Sequence, residues 1–213
     1  MMLPSLDVLL VDDHAVVRSG VRLMLSDTPD IHVTGEAASA SEALDLITGH
    51  HFDVALVDIA LPGRNGLDLL QALRRDVPGM AVLILSTYSE EIYAIRALRL
   101  GAAGYLTKDS PGTTLIEAIR KAATGGKYVS SVLTEHLASR VSGAPSGSHE
   151  TLSNRELEVL KMIAVGKSLI EIAERMHLSP KTVTTYRARI LEKIGVRSNV
   201  ELARYASESG LLK

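Results

Sequence analysis

The stretch Val54-Ala55-Leu56-Val57-Asp58, followed by Leu61-Pro62-Gly63, decides the fold. A short aliphatic run that stops on an acid and then breaks at Pro-Gly reads as a buried strand ending at a sheet edge. Two more runs have the same form. Val8-Leu9-Leu10-Val11 ends on Asp12-Asp13, and Gly104-Tyr105-Leu106-Thr107 ends on Lys108. Three strand ends thus deliver three carboxylates and one ammonium.

Working outward, apolar runs alternate with amphipathic stretches through residue 125. Strands are predicted at Leu6–Val11, His32–Ala37, Val54–Asp58, Ala81–Ser86 and Gly104–Thr107. Helices are predicted at Ala15–Asp27, Ser41–Thr48, Gly66–Asp76, Glu90–Leu100 and Gly112–Ala123, where apolar residues recur with helical spacing. Ser39 or Ser41 suits the N-cap of the second helix, and Ser89 that of the fourth; Gly101 suits the end of the fourth. Five βα units in succession imply α/β architecture, a doubly wound parallel sheet of five strands in the flavodoxin-like manner. Ligands of such sheets bind outside the carboxyl ends of the strands. Asp12, Asp13, Asp58, Ser86 and Lys108 all fall there.

Residues 142–150, Ser-Gly-Ala-Pro-Ser-Gly-Ser-His-Glu, read as a flexible linker, and Val129–Val141 as one further helix before it. From Thr151 onward no strand pattern appears. Four helices are predicted: Asn154–Val165, Leu169–Met176, Lys181–Ile194 and Asn199–Ser209. The expected domains are residues 1–125, a linker with a helix over 126–150, and an all-α module over 151–213.

Composition sets outer bounds. Hydrophobic residues make up 46% of the chain and aromatics 3%, so the cores are aliphatic. There is no cysteine, which excludes disulfides and thiolate metal sites and suits a reducing compartment. Met1–Ser5 lacks a basic region and the first apolar run stops at Asp12, so neither a signal peptide nor a membrane span is expected. The expected location is cytoplasmic. Net charge is −2, unevenly divided: residues 151–213 hold 11 Lys and Arg against 7 Glu, a net +4, and the remaining 12 Lys and Arg against 18 Asp and Glu give −6. Any nucleic-acid contact therefore falls in the second part.

Clustered carboxylates favour a hard cation such as Mg²⁺, held by one or two acids with water and phosphate oxygens. Asp13 and Asp58 are the expected direct ligands, with Asp12 and the Ala60 backbone carbonyl beside them. Asp58 is the natural nucleophile toward a phosphoryl donor. Lys108 would pair with the incoming charge and Ser86 would hydrogen-bond a phosphoryl oxygen. Singly, an Asp-Asp after a strand is an ordinary solvated turn and a Lys there is ordinary surface; their recurrence at adjacent strand ends is what carries the reading. His14 reads as a solvated helix-start residue.

The pieces Val11-Asp12-Asp13-His14, Val57-Asp58 with Pro62-Gly63, Leu85-Ser86 and Gly104-Tyr105-Leu106-Thr107-Lys108 together resemble the receiver domain of response regulators. The resemblance implies a Mg²⁺ site, phosphorylation of Asp58 by a sensor histidine kinase, and a switch in which Ser86 moves and Tyr105 swings inward. Asp109 stands where many receivers have Pro. Two positions after the acceptor and two after Ser86 stand Ala60 and Tyr88. Neither orients a water, and Tyr88 is placed to shield the phosphorus, so self-dephosphorylation is expected to be slow.

In the second part, Leu169–Met176, the turn His177-Leu178-Ser179-Pro180 and Lys181–Ile194 form a helix–turn–helix pattern. Ser179 suits the N-cap and Pro180 the first helical position. Val183, Ile190, Leu191 and Ile194 form an inward stripe. Lys181, Thr184, Thr185 and Ala188 line the opposite face, flanked by Arg187 and Arg189; short central side chains with cations at the edges suit a major groove. Thr182, Tyr186 and Lys193 complete the expected DNA-binding set. Leu152-Ser153-Asn154-Arg155-Glu156-Leu157, Ile172-Ala173, Leu178–Val183 and Lys193–Val196 resemble the LuxR-type DNA-binding domain. With the receiver, the whole chain resembles the NarL/FixJ family of response regulators, nearest its BvgA and GacA-like branch. That implies a two-component transcription regulator rather than an enzyme, acting on double-stranded promoter DNA as a homodimer, with RNA polymerase as a further partner. Thr184 departs from the Lys or Arg of many relatives. Leu169-Ile170 replaces a usual polar pair, read either as extra packing or as an exposed apolar patch.

Overall fold

In the computed structural model, residues 5–88, 90–135 and 148–212 are described. The chain divides into two compact units, Met1–Ala138 and Ser139–Lys213.

The first unit is built on β1 (Leu6–Val11), β2 (Ile31–Ala37), β3 (Val54–Val57), β4 (Ala81–Ser86) and β5 (Gly104–Thr107), all parallel in the order β2-β1-β3-β4-β5. Val11 pairs with Val57 and Ser86 with Thr107, so the carboxyl ends are level. The strands alternate with α1 (Ala15–Leu25), α2 (Ala40–Gly49), α3 (Gly66–Asp76), α4 (Glu90–Arg99) and α5 (Gly112–Ala123). Strand residues face alternate sides. Val8, Leu10, Leu56, Leu83 and Leu85 pack under Val21 and Leu25 of α1 and Leu115, Ala118, Ile119 and Ala122 of α5. Leu9, Val11, Val57 and Ile84 are equally buried, and by the same alternation they face the side opposite α1 and α5. Each fully buried Leu, Ile or Val of this core stabilises by about 1.5–3 kcal/mol.

Boundaries differ from expectation where side chains compete with the helix. α1 stops at Leu25, not Asp27, because Ser26 Oγ donates to the Leu23 carbonyl and Thr28 stands before Pro29, which disfavours helical backbone. Ser39 caps α2, accepting from the Glu42 amide. β3 ends at Val57, leaving Asp58 just beyond the ladder. Gly101 has φ +97° and closes α4, as expected. Ser89 lies outside the described residues. So do residues 136–141 of the predicted helix over Val129–Val141 and residues 142–147 of the 142–150 linker. In the described parts, residues 131–135 are helical (α6), and Ser148–Thr151 form a 3₁₀ turn whose His149 amide donates to Tyr205 Oη. Residues 126–133 belong to the first unit: the Tyr128 amide donates to Ala103 O and Leu133 is buried.

The second unit holds α7 (Asn154–Ala164), α8 (Leu169–Met176), α9 (Pro180–Ile194) and α10 (Asn199–Glu208). Each opens on a serine: Ser153, Ser168, Ser179 and Ser198 accept from the amide three residues on. The first two are full capping boxes, with Glu156 and Glu171 reaching back. His177 takes a left-handed conformation, φ 54°, to end α8 and turn into α9. Leu157, Leu160, Ile172, Ala173, Val183, Ile190, Leu202 and Ala206 form the core. Of the predicted α9 stripe, Val183 and Ile190 are fully buried; Leu191 and Ile194 are half-buried.

Candidate functional site

The β3–α3 and β1–α1 junctions place the acids. The Asp58 amide donates to Val11 O (2.9 Å) and the Asp12 amide to Ala37 O (3.1 Å), so both residues leave the sheet tied to the neighbouring strand end. Lys108 is set likewise, its amide donating to Ser86 O at 3.0 Å. The first turn of α3 closes directly over Asp58. A Cβ on Gly66 would lie 1.8 Å from the Asp58 carbonyl oxygen. Gly66, which in the sequence marks only the start of a helix, is therefore part of the wall of the site.

The acids and the ammonium meet as expected. Lys108 Nζ lies 2.6 Å from Asp12 Oδ2 and 2.9 Å from Asp58 Oδ2. Asp12, Asp58 and Ser86 are buried, whereas the Asp13 side chain is 35% exposed at the mouth. Burial pushes the Asp58 carboxyl above the usual carboxylate range, against the pull of Lys108. Burial alone would lower Lys108, but its hydrogen bonds to Asp12 and Asp58 win and raise it. Asp58 Oδ1 is buried with no hydrogen-bond partner among the described residues. An ionised oxygen in that position is costly unless a cation or donor reaches it. Donor atoms of Asp12, Asp13, His14 and Asp58 all lie within 4.8 Å of one another. This donor set fits a hard divalent cation.

His14 differs from its reading as a merely solvated residue. Its ring stays exposed, yet Nδ1 lies 2.6 Å from Asp13 Oδ1 and 3.2 Å from Asp12 Oδ1, and its amide donates to Asp12 Oδ1. Ala60, half-buried, follows two residues after Asp58. Ser86 Oγ accepts from the Tyr88 amide at 3.3 Å. Tyr105 already lies inward: its ring is buried, its hydroxyl donates to Tyr88 O at 2.7 Å, and burial raises its phenol far above the ordinary value. The Tyr88 ring, expected beside the phosphoryl position, stacks on Tyr93 of α4 with centroids 4.9 Å apart.

In the second unit Lys181, Thr184, Thr185, Ala188 and Arg189 form one exposed face of α9. The Thr184 and Thr185 hydroxyls donate back to the Pro180 and Lys181 carbonyls. Thr182 joins the N-cap through Ser179 Oγ, Tyr186 is half-buried, and Arg187 Nε donates to Asn199 Oδ1 at 2.6 Å. Lys193 is engaged elsewhere. Its ammonium lies 2.6 Å from Oε2 of Glu156, a buried carboxylate of the α7 capping box. Burial alone would raise Glu156, but Lys193 and the Ser153 amide hold it below its usual value. Ile170 is 62% exposed and Leu169 half-buried, so Ile170 is not extra packing. Among the described residues no helix is long and apolar enough to cross a membrane.

Comparison with known proteins agrees with this geometry. Residues 8–120 match the response regulator receiver domain, and residues 150–206 match the bacterial regulatory proteins of the luxR family. The chain is similar to response regulator UvrY of Escherichia coli K12, 35% identical over 208 residues, spanning 97% of this chain and 95% of that one. It is 36% identical to response regulator GacA of Pseudomonas aeruginosa over 208 residues, 96% of this chain and 97% of that one. Among solved structures it resembles RcsB of Salmonella enterica serovar Typhimurium bound to promoter P1flhDC in the presence of phosphomimetic BeF₃⁻. The TM-score is 0.69 at 26% identity, over 96% of this chain and 99% of that one.

Proposed function

Because the chain belongs to the NarL/FixJ family of response regulators, in its GacA and UvrY branch, we propose that it stores a phosphoryl group on Asp58 and that this charge licenses α9 to hold promoter DNA. The protein is a two-component response regulator and transcription regulator with a LuxR-type DNA-binding domain. The observation that carries the finer reading is the pairing of a buried, partnerless Asp58 Oδ1 with a Lys108 ammonium shared between Asp58 and Asp12.

In this mechanism Asp58 Oδ1 attacks the phosphorus of a phosphohistidine on a sensor kinase. The P–N bond breaks and its electron pair stays with the imidazole, while an acyl phosphate forms on Asp58. Asp12, Asp13, Asp58 and the Ala60 carbonyl would hold Mg²⁺, which when bound would neutralise part of the phosphoryl charge. Lys108 releases Asp58 Oδ2 and pairs with a phosphoryl oxygen, and Ser86 donates to another. The phosphoryl group adds about two negative charges. They bias Ser86 and the Tyr105–Tyr88 contact, which reach α4 through the Tyr88–Tyr93 stack. Without an orienting carboxylate or amide at Ala60 or Tyr88, hydrolysis of the acyl phosphate is slow.

On DNA, Thr184, Thr185 and Ala188 face base edges and Lys181, Arg187 and Arg189 hold phosphates. Thr182 and Tyr186 support the helix start. A homodimer reads two half-sites, RNA polymerase is the downstream partner, and the setting is cytoplasmic. Genome-wide mapping of bound DNA in wild type and Asp58→Ala tests the reading. Occupancy that collapses in the variant supports it, and identical occupancy would mean that the receiver does not gate DNA binding. A small phosphodonor and Mg²⁺ should leave about one phosphoryl group per chain; continuous release of phosphate would instead identify a phosphohydrolase.

A further inference from the structure

We propose that Arg18 is the positioning residue for the acid pair, fixing the β1–α1 loop so that Asp12 and Asp13 offer their carboxylates to a divalent cation. This rests on reading the site as a Mg²⁺-assisted phosphoryl acceptor. Arg18 stands at the end of the first turn of α1 and points back at the loop. Its Nη1 donates to the Asp12 carbonyl at 2.7 Å, and its Nε to Glu36 Oε2 at 3.0 Å. The side chain is only 19% exposed. Glu36 lies near the carboxyl end of β2 and pairs with Leu10 of β1 in the sheet.

The Asp12 amide is held by Ala37 O and its Oδ1 accepts from the His14 amide. The carbonyl is the remaining backbone group, and it sits where β1 has run out of ladder, since the neighbouring Asp58 amide bonds to Val11 O instead. Arg18 satisfies that carbonyl. With amide, carbonyl and one carboxylate oxygen all fixed, Asp12 Oδ2 has a single direction, toward Lys108 and the cleft. The planar fork of a guanidinium serves two acceptors at a fixed angle; a lysine ammonium cannot hold Glu36 and the carbonyl in the same geometry.

Charge and geometry predict opposite signs. A guanidinium near an acid cluster repels a cation, so removing it for charge reasons alone would tighten Mg²⁺ binding. Positioning predicts weaker binding. Arg22 supplies the control, because its Nη1 pairs with Glu36 Oε1 at 3.0 Å from an exposed position and makes no bond to the loop among the described residues.

The experiment is calorimetric titration of Mg²⁺ into the full chain, with far-UV circular dichroism and a cation-free melt on each variant. Arg18→Lys and Arg18→Met are expected to weaken Mg²⁺ by about tenfold or more, as for groups that orient metal ligands from behind. Arg22→Met should stay within about twofold on the same scale. The Mg²⁺ needed for half-maximal labelling by acetyl phosphate should rise with the plateau unchanged. Unchanged or tighter binding in both Arg18 variants overturns the inference while leaving the site's reading intact. Absence of Mg²⁺ binding in the wild type overturns the reading itself. If Arg18→Met does not fold, Arg18→Lys and Glu36→Gln decide the matter by the same titration.

Discussion

Lys108 Nζ stands 2.9 Å from Asp58 Oδ2, so the acid proposed as phosphoryl acceptor is already in contact with its counter-ion. Removing that contact has a direct consequence. In Lys108→Met the Asp58 carboxyl loses its opposing cation while its burial remains, and its titration, followed by carboxyl NMR, should move further upward. Phosphorylation-dependent promoter binding should be lost in the same variant.

Asp58 is raised in the folded state, so the native protein keeps that proton to higher pH than the unfolded chain does. Stability from this group is therefore greatest below the unfolded carboxyl value of about 3.9 and falls as pH rises through Asp58's own value. Asp58→Asn should consequently melt higher than wild type near neutral pH, and the gap should close on acidification. Mg²⁺ should narrow the gap from the other side, adding about 1.4 kcal/mol to the wild type at ten times its Kd. Melts across pH, with and without Mg²⁺, check both.

Gly66 admits no side chain. Gly66→Ala puts a carbon at van der Waals overlap with the Asp58 carbonyl, and backbone must shift to relieve it. A loss of about 1–3 kcal/mol is expected in urea unfolding. The surviving protein should accept phosphoryl groups poorly, because the shift moves Asp58 itself.

Two lysines on α9 should behave differently. Lys181 is exposed at the helix start, and Lys181→Ala should weaken promoter binding, lower the salt slope by about one and leave the melt unchanged. Lys193→Met should leave Glu156 buried without its partner and destabilise the second unit by about 1–2 kcal/mol. Its salt slope should match wild type.

Acyl-phosphate lifetime should respond to Tyr88. Placing an amide there, with Tyr88→Asn, gives water a partner near the phosphorus and should speed label loss by about tenfold, a small part of what a positioned proton acceptor contributes. Radiolabel decay with Mg²⁺ and no phosphatase measures it. Loss within seconds in the wild type would remove the premise.

The five strands and their acids were legible because parallel strands buried on both faces read as aliphatic runs, and their ends as the first polar residue. What stayed hidden depended on residues meeting out of register with the chain. Lys193 sits on a basic helix and looks like a phosphate ligand; only the fold brings Glu156, 37 positions earlier, against it. The local contexts of His14 and Tyr88 say nothing of Asp13 and Tyr93, the residues they meet in the fold. Gly66 gave a helix-start signal, and nothing in its neighbours announced the Asp58 carbonyl above it. Arg18 likewise belongs to a helical period that says nothing of Asp12.

The serine that opens each of α7, α8, α9 and α10 has a kinetic meaning. Ser153, Ser168, Ser179 and Ser198 each find their acceptor amide three residues away, so α7 to α10 take their boundaries from contacts that form on the timescale of helix growth, about a microsecond or less. The receiver sheet must instead close β1 on β3 across roughly 46 residues before its central ladder exists. During refolding the helical unit should therefore recover its structure well ahead of the sheet. On the proposed function, a chain diluted from denaturant would pass through an interval in which it can touch DNA but lacks the phosphoryl site that is to govern that contact.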